Sequence, residues 1–346
     1  MKLKRVQQSE EVKDTRELVN VMGTSVSALL DKATSIQNKC HDYNVAKVTL
    51  RNVMYHDGEL SFIDDNTGGT ERYPMSRYAL SQLGGKIGVP ANYLQKCLDT
   101  GRLDLASDNV NSWLDDYQKD LFIREYDGRI RGILSSKYSV CDTPDILKVL
   151  QDTVDLNTYK VKGSFLNEER LHLRLVGKEM LPIDGEDLFP GLFIDSSDVG
   201  RNVLTVQFGI YKLVCTNGLT ISKGSGTLFQ QKHVGITAED FYEGLAASLK
   251  NVDVLCENAI QLVEDARNKS LKFSKYSQED FDNFIAQIKG RTKLSTDGAE
   301  KVIDLMKNKY GDSRWGYINS LTEVAQDYTL ERRIELENIA GNLLAA

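Results

Sequence analysis

Tyr159-Lys160-Val161-Lys162-Gly163-Ser164-Phe165-Leu166-Asn167-Glu168-Glu169-Arg170-Leu171-His172-Leu173-Arg174-Leu175-Val176 decides the fold class. From Arg170 onward the side chains alternate. Leu171, Leu173 and Leu175 take one face, and Arg170, His172 and Arg174 take the other, because successive side chains of a strand point to opposite sides. Residues 159–165 supply the partner strand, so the stretch reads as a hairpin. Upstream, residues 121–126 and 129–134 flank Asp127-Gly128, a dipeptide suited to the positive φ angles of a tight turn. Downstream, residues 203–215 and 219–222 flank Asn217-Gly218, another strong turn signal. Between them, residues 181–201 hold Pro182 and Pro190 and read as loop, with one strand at 191–195. A helix is expected from Thr143-Pro144-Asp145 to about Val154, with Thr143 as its cap.

The flanks differ. Residues 9–40 carry apolar positions at three- and four-residue steps and read as helix. Residues 44–63 switch to period two around His56-Asp57-Gly58-Glu59, a hairpin. Residues 75–117 read as short helices: 75–83, broken at Gly84-Gly85, then one starting at Pro90, then 103–117. From Thr237 the pattern is helical to the end, with capping-box forms at Thr237–Asp240 and Ser277–Asp280. The whole is α+β: a central antiparallel sheet of hairpins with helices, followed by a helical C-terminal third. Its parts are residues 1–72 (helix plus hairpin), 73–236 (the α+β core) and 237–346 (helical).

The chain has 346 residues, 41% of them hydrophobic and 27% charged, which is enough apolar material for a real core. The five cysteines are scattered without a CxxC pair, so reduced thiols are expected rather than a disulfide framework or zinc site. The first residues lack a secretory apolar run and no stretch reaches about 18 apolar residues, so a cytoplasmic protein without a membrane span is expected. Net charge is −7, and residues 237–346 hold 14 basic against 19 acidic groups. The chain as a whole offers no basic face, but its first two thirds are near neutral and leave room for a local one.

One such face is expected on the sheet. Arg170, His172 and Arg174 share parity, Lys160 and Lys162 do so on the preceding strand, and the earlier hairpin adds Arg124, Arg129 and Arg131. Tyr126 and Tyr159 could stack on bases. Aligned, these groups would make a stripe for a nucleic-acid backbone; the plain alternative is the wet face of an ordinary antiparallel sheet. Residues 76–97 have a helix-turn-helix look, but Lys96 is the second helix's only cation, so a helical hairpin is the better reading. The four histidines show no metal-ligand spacing, and neither a phosphate loop nor a nucleophile with its base is visible. No cofactor, metal or catalytic residue is implied.

Several stretches together resemble a family found in phages and plasmids and catalogued as domain of unknown function 932. They are the helix at Met75-Ser76, Gly88-Val89-Pro90-Ala91-Asn92-Tyr93-Leu94, Arg131-Gly132 to Lys137-Tyr138, Gly191-Leu192 with Asp195-Ser196-Ser197, Cys215-Thr216-Asn217-Gly218 with Lys232-His233, and Trp315-Gly316-Tyr317-Ile318-Asn319 leading to Thr322-Glu323. They run in order over about residues 73–330. The resemblance implies a mobile-element origin in a host cell and brings no established activity; it associates the chain with nucleic-acid work. The expected function is a non-enzymatic binder of nucleic acid, single-stranded rather than duplex, serving mobile-element DNA metabolism. The rival is a protein-interaction or oligomerising module that counters host defence or meets a host protein through its acidic helical third.

Overall fold

The computed structural model describes residues 24–48, 52–64, 67–183, 185, 187–212, 217–220 and 227–344. Three antiparallel sheets organise them. Helix α1 (Val26–Gln37) starts at Ser25, whose hydroxyl accepts from Ala28 N, and its Val26, Leu29 and Ala33 are buried. The part of the expected helix at 9–23 lies outside the described residues. Strand β1 (Cys40–Val45) follows, then β2 (Val53–His56), β3 (Glu59–Ile63) and β4 (Thr70–Pro74). The β2–β3 turn forms at Asp57 and Gly58, both at positive φ, as expected.

Helices α2 (Arg77–Ile87), α3 (Ala91–Asp99) and α4 (Leu103–Asp115) come next. The break expected at Gly84-Gly85 does not occur. A Cβ on Gly84 would lie 2.4 Å from the Val89 carbonyl oxygen. The glycine therefore serves close packing of the α2–α3 turn, and Gly88, at φ +77, ends the helix.

Strands β5 (Leu121–Tyr126) and β6 (Arg129–Ser135) form a hairpin through Asp127-Gly128, and β1 pairs with β5 to give the sheet β1-β5-β6. Helix α5 (Thr143–Thr153) is preceded by Asp142 rather than capped by Thr143. The Asp142 carboxylate does not cap it, because Arg124 takes both oxygens.

The large sheet runs β11-β10-β9-β8-β7, with β12 also on β10. Its strands are β7 (Tyr159–Leu166), β8 (Arg170–Gly177), β9 (Leu188–Ser197), β10 (Leu204–Lys212), β11 (Asn217–Thr220) and β12 (Thr227–Gln231). Strand β9 is twice the length expected from 191–195. Pro190 falls just beyond the last β8 pairing, Gly191 with Val176, and so leaves that ladder intact. Asn217-Gly218 is not the turn: Asn217 pairs with Lys212 and Gly218 with Tyr211, so both sit in the ladder. Cys215 lies outside the described residues.

Helices α6 (Ala238–Leu249), α7 (Val252–Asn268), α8 (Gln278–Thr292), α9 (Thr296–Leu305), α10 (Arg314–Ala325) and α11 (Leu330–Leu344) complete the chain. Ser277 and Asp280 form the expected capping box. The described cysteines are free thiols.

Two large hydrophobic cores result among the described residues, beside a small cluster of Val176, Phe193 and Tyr211. One joins Val45, Tyr55, Phe62, Leu83, Leu94, Val110, Ile123 and Ile133, which draws the first hairpins, α2–α4 and the β1-β5-β6 sheet into one body. The other joins Leu29 of α1 to the leucine face of β8, to Phe208 of β10 and to the C-terminal helices through Leu336. Packing thus gathers residues from both sides of 72/73 in the first core and from both sides of 236/237 in the second.

A one-turn π-helix, Met306–Tyr310, leads into α10. A Cβ on Gly316 would lie 2.1 Å from the Gly311 oxygen and 2.8 Å from that of Tyr310. Gly316→Ala should therefore lower stability by about 2–3 kcal/mol through overpacking. Gly290→Ala, within α8 and with nothing within 4 Å of the new methyl, should raise it by about 0.5–1 kcal/mol. Urea unfolding of the two variants reads both signs.

Candidate nucleic-acid interface

The expected basic stripe does not form as one wet face. The reason is ion pairing in the interior. Arg124, 1% exposed, donates from Nε to Asp42 Oδ1 at 2.9 Å, from Nη1 to Asp142 Oδ1 at 2.7 Å and to the Asp198 carbonyl at 2.6 Å, and from Nη2 to both carboxylates. Burial alone would lower its pKa; Asp142 and then Asp42 outweigh burial and raise it well above the ordinary value. Arg131 is equally buried. It donates to the Glu168 carbonyl and stands 3.8 Å from Asp198.

On β8, His172 and Arg174 are buried too. The register sets His172 opposite Asp195, and His172 Nδ1 meets Asp195 Oδ1 at 2.5 Å. Burial alone would raise the Asp195 pKa, but His172 and Arg174 bring it below its ordinary value. Arg174 donates from Nε to His172 Nε2 at 3.2 Å and from Nη2 to Glu337 Oε2 at 2.8 Å. Glu337, fully buried, belongs to α11 and also accepts from Arg333. The terminal helix therefore covers the side of the sheet on which alternation predicted water.

Among the remaining residues, Arg129 is exposed at the β5–β6 hairpin and donates to the Met75 carbonyl. Tyr126 is half-buried beside it, paired across to Arg129 and Cys40. Arg170 lies over the Phe165 ring at 4.9 Å.

Tyr159, Lys160 and Lys162 come together. They line a cleft of about 550 Å³ between β7 and the start of α1, together with Lys178, Gln151 and the serines at 25 and 27. Lys160 and Lys178 are exposed, and Lys162 is half-buried with its ammonium 5.6 Å from the Tyr211 ring. Val26, Leu156, Val161 and Leu175 make an apolar floor. None of the described residues lining it is Asp or Glu. Lys178 donates to the Asn157 carbonyl at 2.6 Å. It continues the parity of 170, 172 and 174, so extending the alternation two residues past Val176 would have found it.

The carboxylates that bury the arginines, Asp42, Asp142, Asp198 and Glu337, carry no local signal, since their partners lie 18 to 163 residues away. Burial pushes the nearby thiols up, Cys40 to about 11 and Cys141 to about 12, which removes them as nucleophiles at neutral pH. Among the described residues no group of three His, Cys, Asp or Glu is placed to hold a metal ion, and no helix is long and apolar enough to cross a membrane.

The family described as "Domain of unknown function (DUF932)" matches residues 131–343, about three fifths of the chain. The chain belongs to the DUF932 family. No curated protein and no solved structure matches it. The DUF932 match starts within β6 and runs into α11, so the large sheet, the lysine side of its cleft and the C-terminal helices lie within it, whereas the α1 side of the cleft, residues 24–27, lies outside. The stretches at Met75-Ser76 and Gly88–Leu94, part of the resemblance read from sequence, lie outside it.

The Arg124 cluster holds Asp42, Asp142 and Asp198 against Arg124 and Arg131, one carboxylate more than the guanidiniums balance. The extra proton belongs on Asp198: burial and then Asp142 push its pKa up to about 7, from an ordinary 3.8, against the opposing pull of Arg131 and Arg124. Between those values the folded protein binds a proton the unfolded chain does not, so this group makes stability fall as pH rises from about 4 to 7. Asp198→Asn should flatten that part of the curve, leaving the variant better off relative to wild type at pH 8 than at pH 5. Urea unfolding from pH 5 to 8 checks it, and parallel curves would contradict it.

Proposed function

We propose that this DUF932 protein binds single-stranded nucleic acid through the Lys160–Lys162–Lys178 cleft, as a non-enzymatic protein of mobile-element (phage or plasmid) DNA metabolism in the host cytoplasm. The observation that carries this reading is a cleft of about 550 Å³ with three lysines around an apolar floor and no carboxylate among the described residues that line it. Ammonium groups contact phosphates, and displacing the strand's counterions supplies affinity. The apolar floor and the Tyr159 ring offer unstacked bases a place to lie. A duplex keeps its bases paired and would present only its backbone, which makes the single strand the better match.

Three phosphate contacts give a salt slope of about −2 for a single strand, so a rise from about 50 to 200 mM salt should weaken binding roughly twentyfold. Fluorescence anisotropy with a labelled oligonucleotide reads this directly. A variant carrying Lys160→Ala, Lys162→Ala and Lys178→Ala should lose both the binding and its salt dependence. Tyr159→Ala should cost about 1–3 kcal/mol while keeping the slope. Absence of binding at the lower salt, or unchanged binding by the triple variant, would refute the reading.

A further inference from the structure

A second hollow, of about 460 Å³, opens at the other end of the β8–β9 ladder. The cleft sits by Leu175 and Lys178, whereas this cavity is bounded by the turn after β9 (Gly200 to Val203), the end of β6, α2, and the segment after β12. It collects residues that the proposed function leaves unused, among them Tyr138, Lys232 and His233 from the stretches that resemble the family.

Three cations line it: Lys86, Arg201 and Lys232. No carboxylate does so among the described residues. Arg201 is fixed in place, with Nη1 donating to Glu169 Oε2 at 3.1 Å and the guanidinium 5.2 Å from the Tyr78 ring. Lys86 and Lys232 form no ion pair among the described residues. Burial, and then the nearby Lys119, lower the Lys86 pKa, influences that a bound anion would reverse.

His233 adds an independent observation. It lines the cavity and is 3% exposed, and among the described residues neither ring nitrogen makes a close hydrogen bond, only a weaker interaction with the Ser139 backbone. Its ring lies flat against Tyr138, 5.4 Å between centroids and 3° between planes, and is tilted against Phe241 on another side. Tyr138 is anchored by its hydroxyl, which donates to the Asp198 carbonyl at 2.9 Å. Burial lowers the His233 pKa, so the ring is neutral at pH 7 and keeps one N–H to donate. A buried polar group left unpaired costs about 1–3 kcal/mol, a deficit that a ligand oxygen would relieve. Leu134, Val203 and Val234 give the cavity an apolar wall.

We propose that this cavity binds a phosphate monoester, its dianion held by Lys86, Arg201 and Lys232 and its organic body lying on Leu134, Val203 and Val234. An isolated phosphate would leave the apolar wall uncovered, and a neutral molecule would leave Lys86 and Lys232 without a counter-charge. The site is separate from the lysine cleft, so either can fail alone.

Isothermal titration of the full chain with inorganic phosphate, AMP, glucose 6-phosphate and adenosine tests the assignment. At least one monoester should bind more tightly than inorganic phosphate, and adenosine should not bind. The double variant Lys86→Ala, Lys232→Ala removes side chains that form no ion pair among the described residues and should weaken monoester binding at least tenfold. Lys160→Ala with Lys162→Ala should leave it unchanged. In a carbon–proton NMR spectrum, the His233 imidazole signal, identified by its loss in His233→Gln, should move with the same saturation curve. The proposal is overturned if neither monoester binds better than inorganic phosphate, if adenosine binds as well as AMP, or if the double variant binds as wild type.

Discussion

A single buried guanidinium holds the two cores in register. Arg124 leaves the middle of β5 and reaches β1 through Asp42, the start of α5 through Asp142, and the turn after β9 through the Asp198 carbonyl. Bringing an arginine and its carboxylates out of water is costly, and replacing such a pair by apolar packing is often neutral. The geometry is nevertheless specific, because a planar fork bonded to two carboxylates and a carbonyl admits few alternative positions of the sheet. The neighbourhood is built around it. Gly132 on β6 packs with its missing Cβ 3.0 Å from Val199, and Gln82 of α2 bonds both the Ile133 amide and the Val199 carbonyl. Strands β1 and β5, outside the family match, are thereby fitted to the turn after β9, inside it.

Local patterns carried much of the fold. Alternation in 159–176, the Asp-Gly turns at 57–58 and 127–128, and the serine cap at 277 each act within a few residues, where propensity and geometry agree. Long-range contacts decided the failures. Alternating Arg and His on β8 is what a wet face looks like, and it is also what a covered face looks like when Asp195, Glu337 and Arg333 arrive from elsewhere. Gly84 reads as a helix breaker, yet it is needed because the Val89 carbonyl passes too close for any side chain. Asn217-Gly218 has the composition of a turn, but pairing with β10 fixes it in a strand. For the candidate interface, half of the lysine cleft was legible, because Lys160 and Lys162 lie on one strand. The arginines drawn inward were not separable from those left outside.

Two sets of cations stand out. Arg124, Arg131 and Arg174 are buried close to carboxylates and hold elements together. Lysines without such partners, Lys160, Lys162, Lys86 and Lys232, edge two hollows at opposite ends of one ladder. Both hollows are lined by cations without a carboxylate among the described residues, although the protein as a whole is negative.

The bond between Arg174 and Glu337 joins residues 163 positions apart. A ribosome builds β8 long before it reaches α11, so during synthesis the arginine has its aromatic neighbour Phe193 early and its counter-charge only at the end. The sheet's second face cannot dry until those last residues emerge. Closure of the large core thus waits for α11, and truncation anywhere before Glu337 would leave the Arg174 guanidinium without that carboxylate and facing an open sheet, a feature that quality-control proteases can act on.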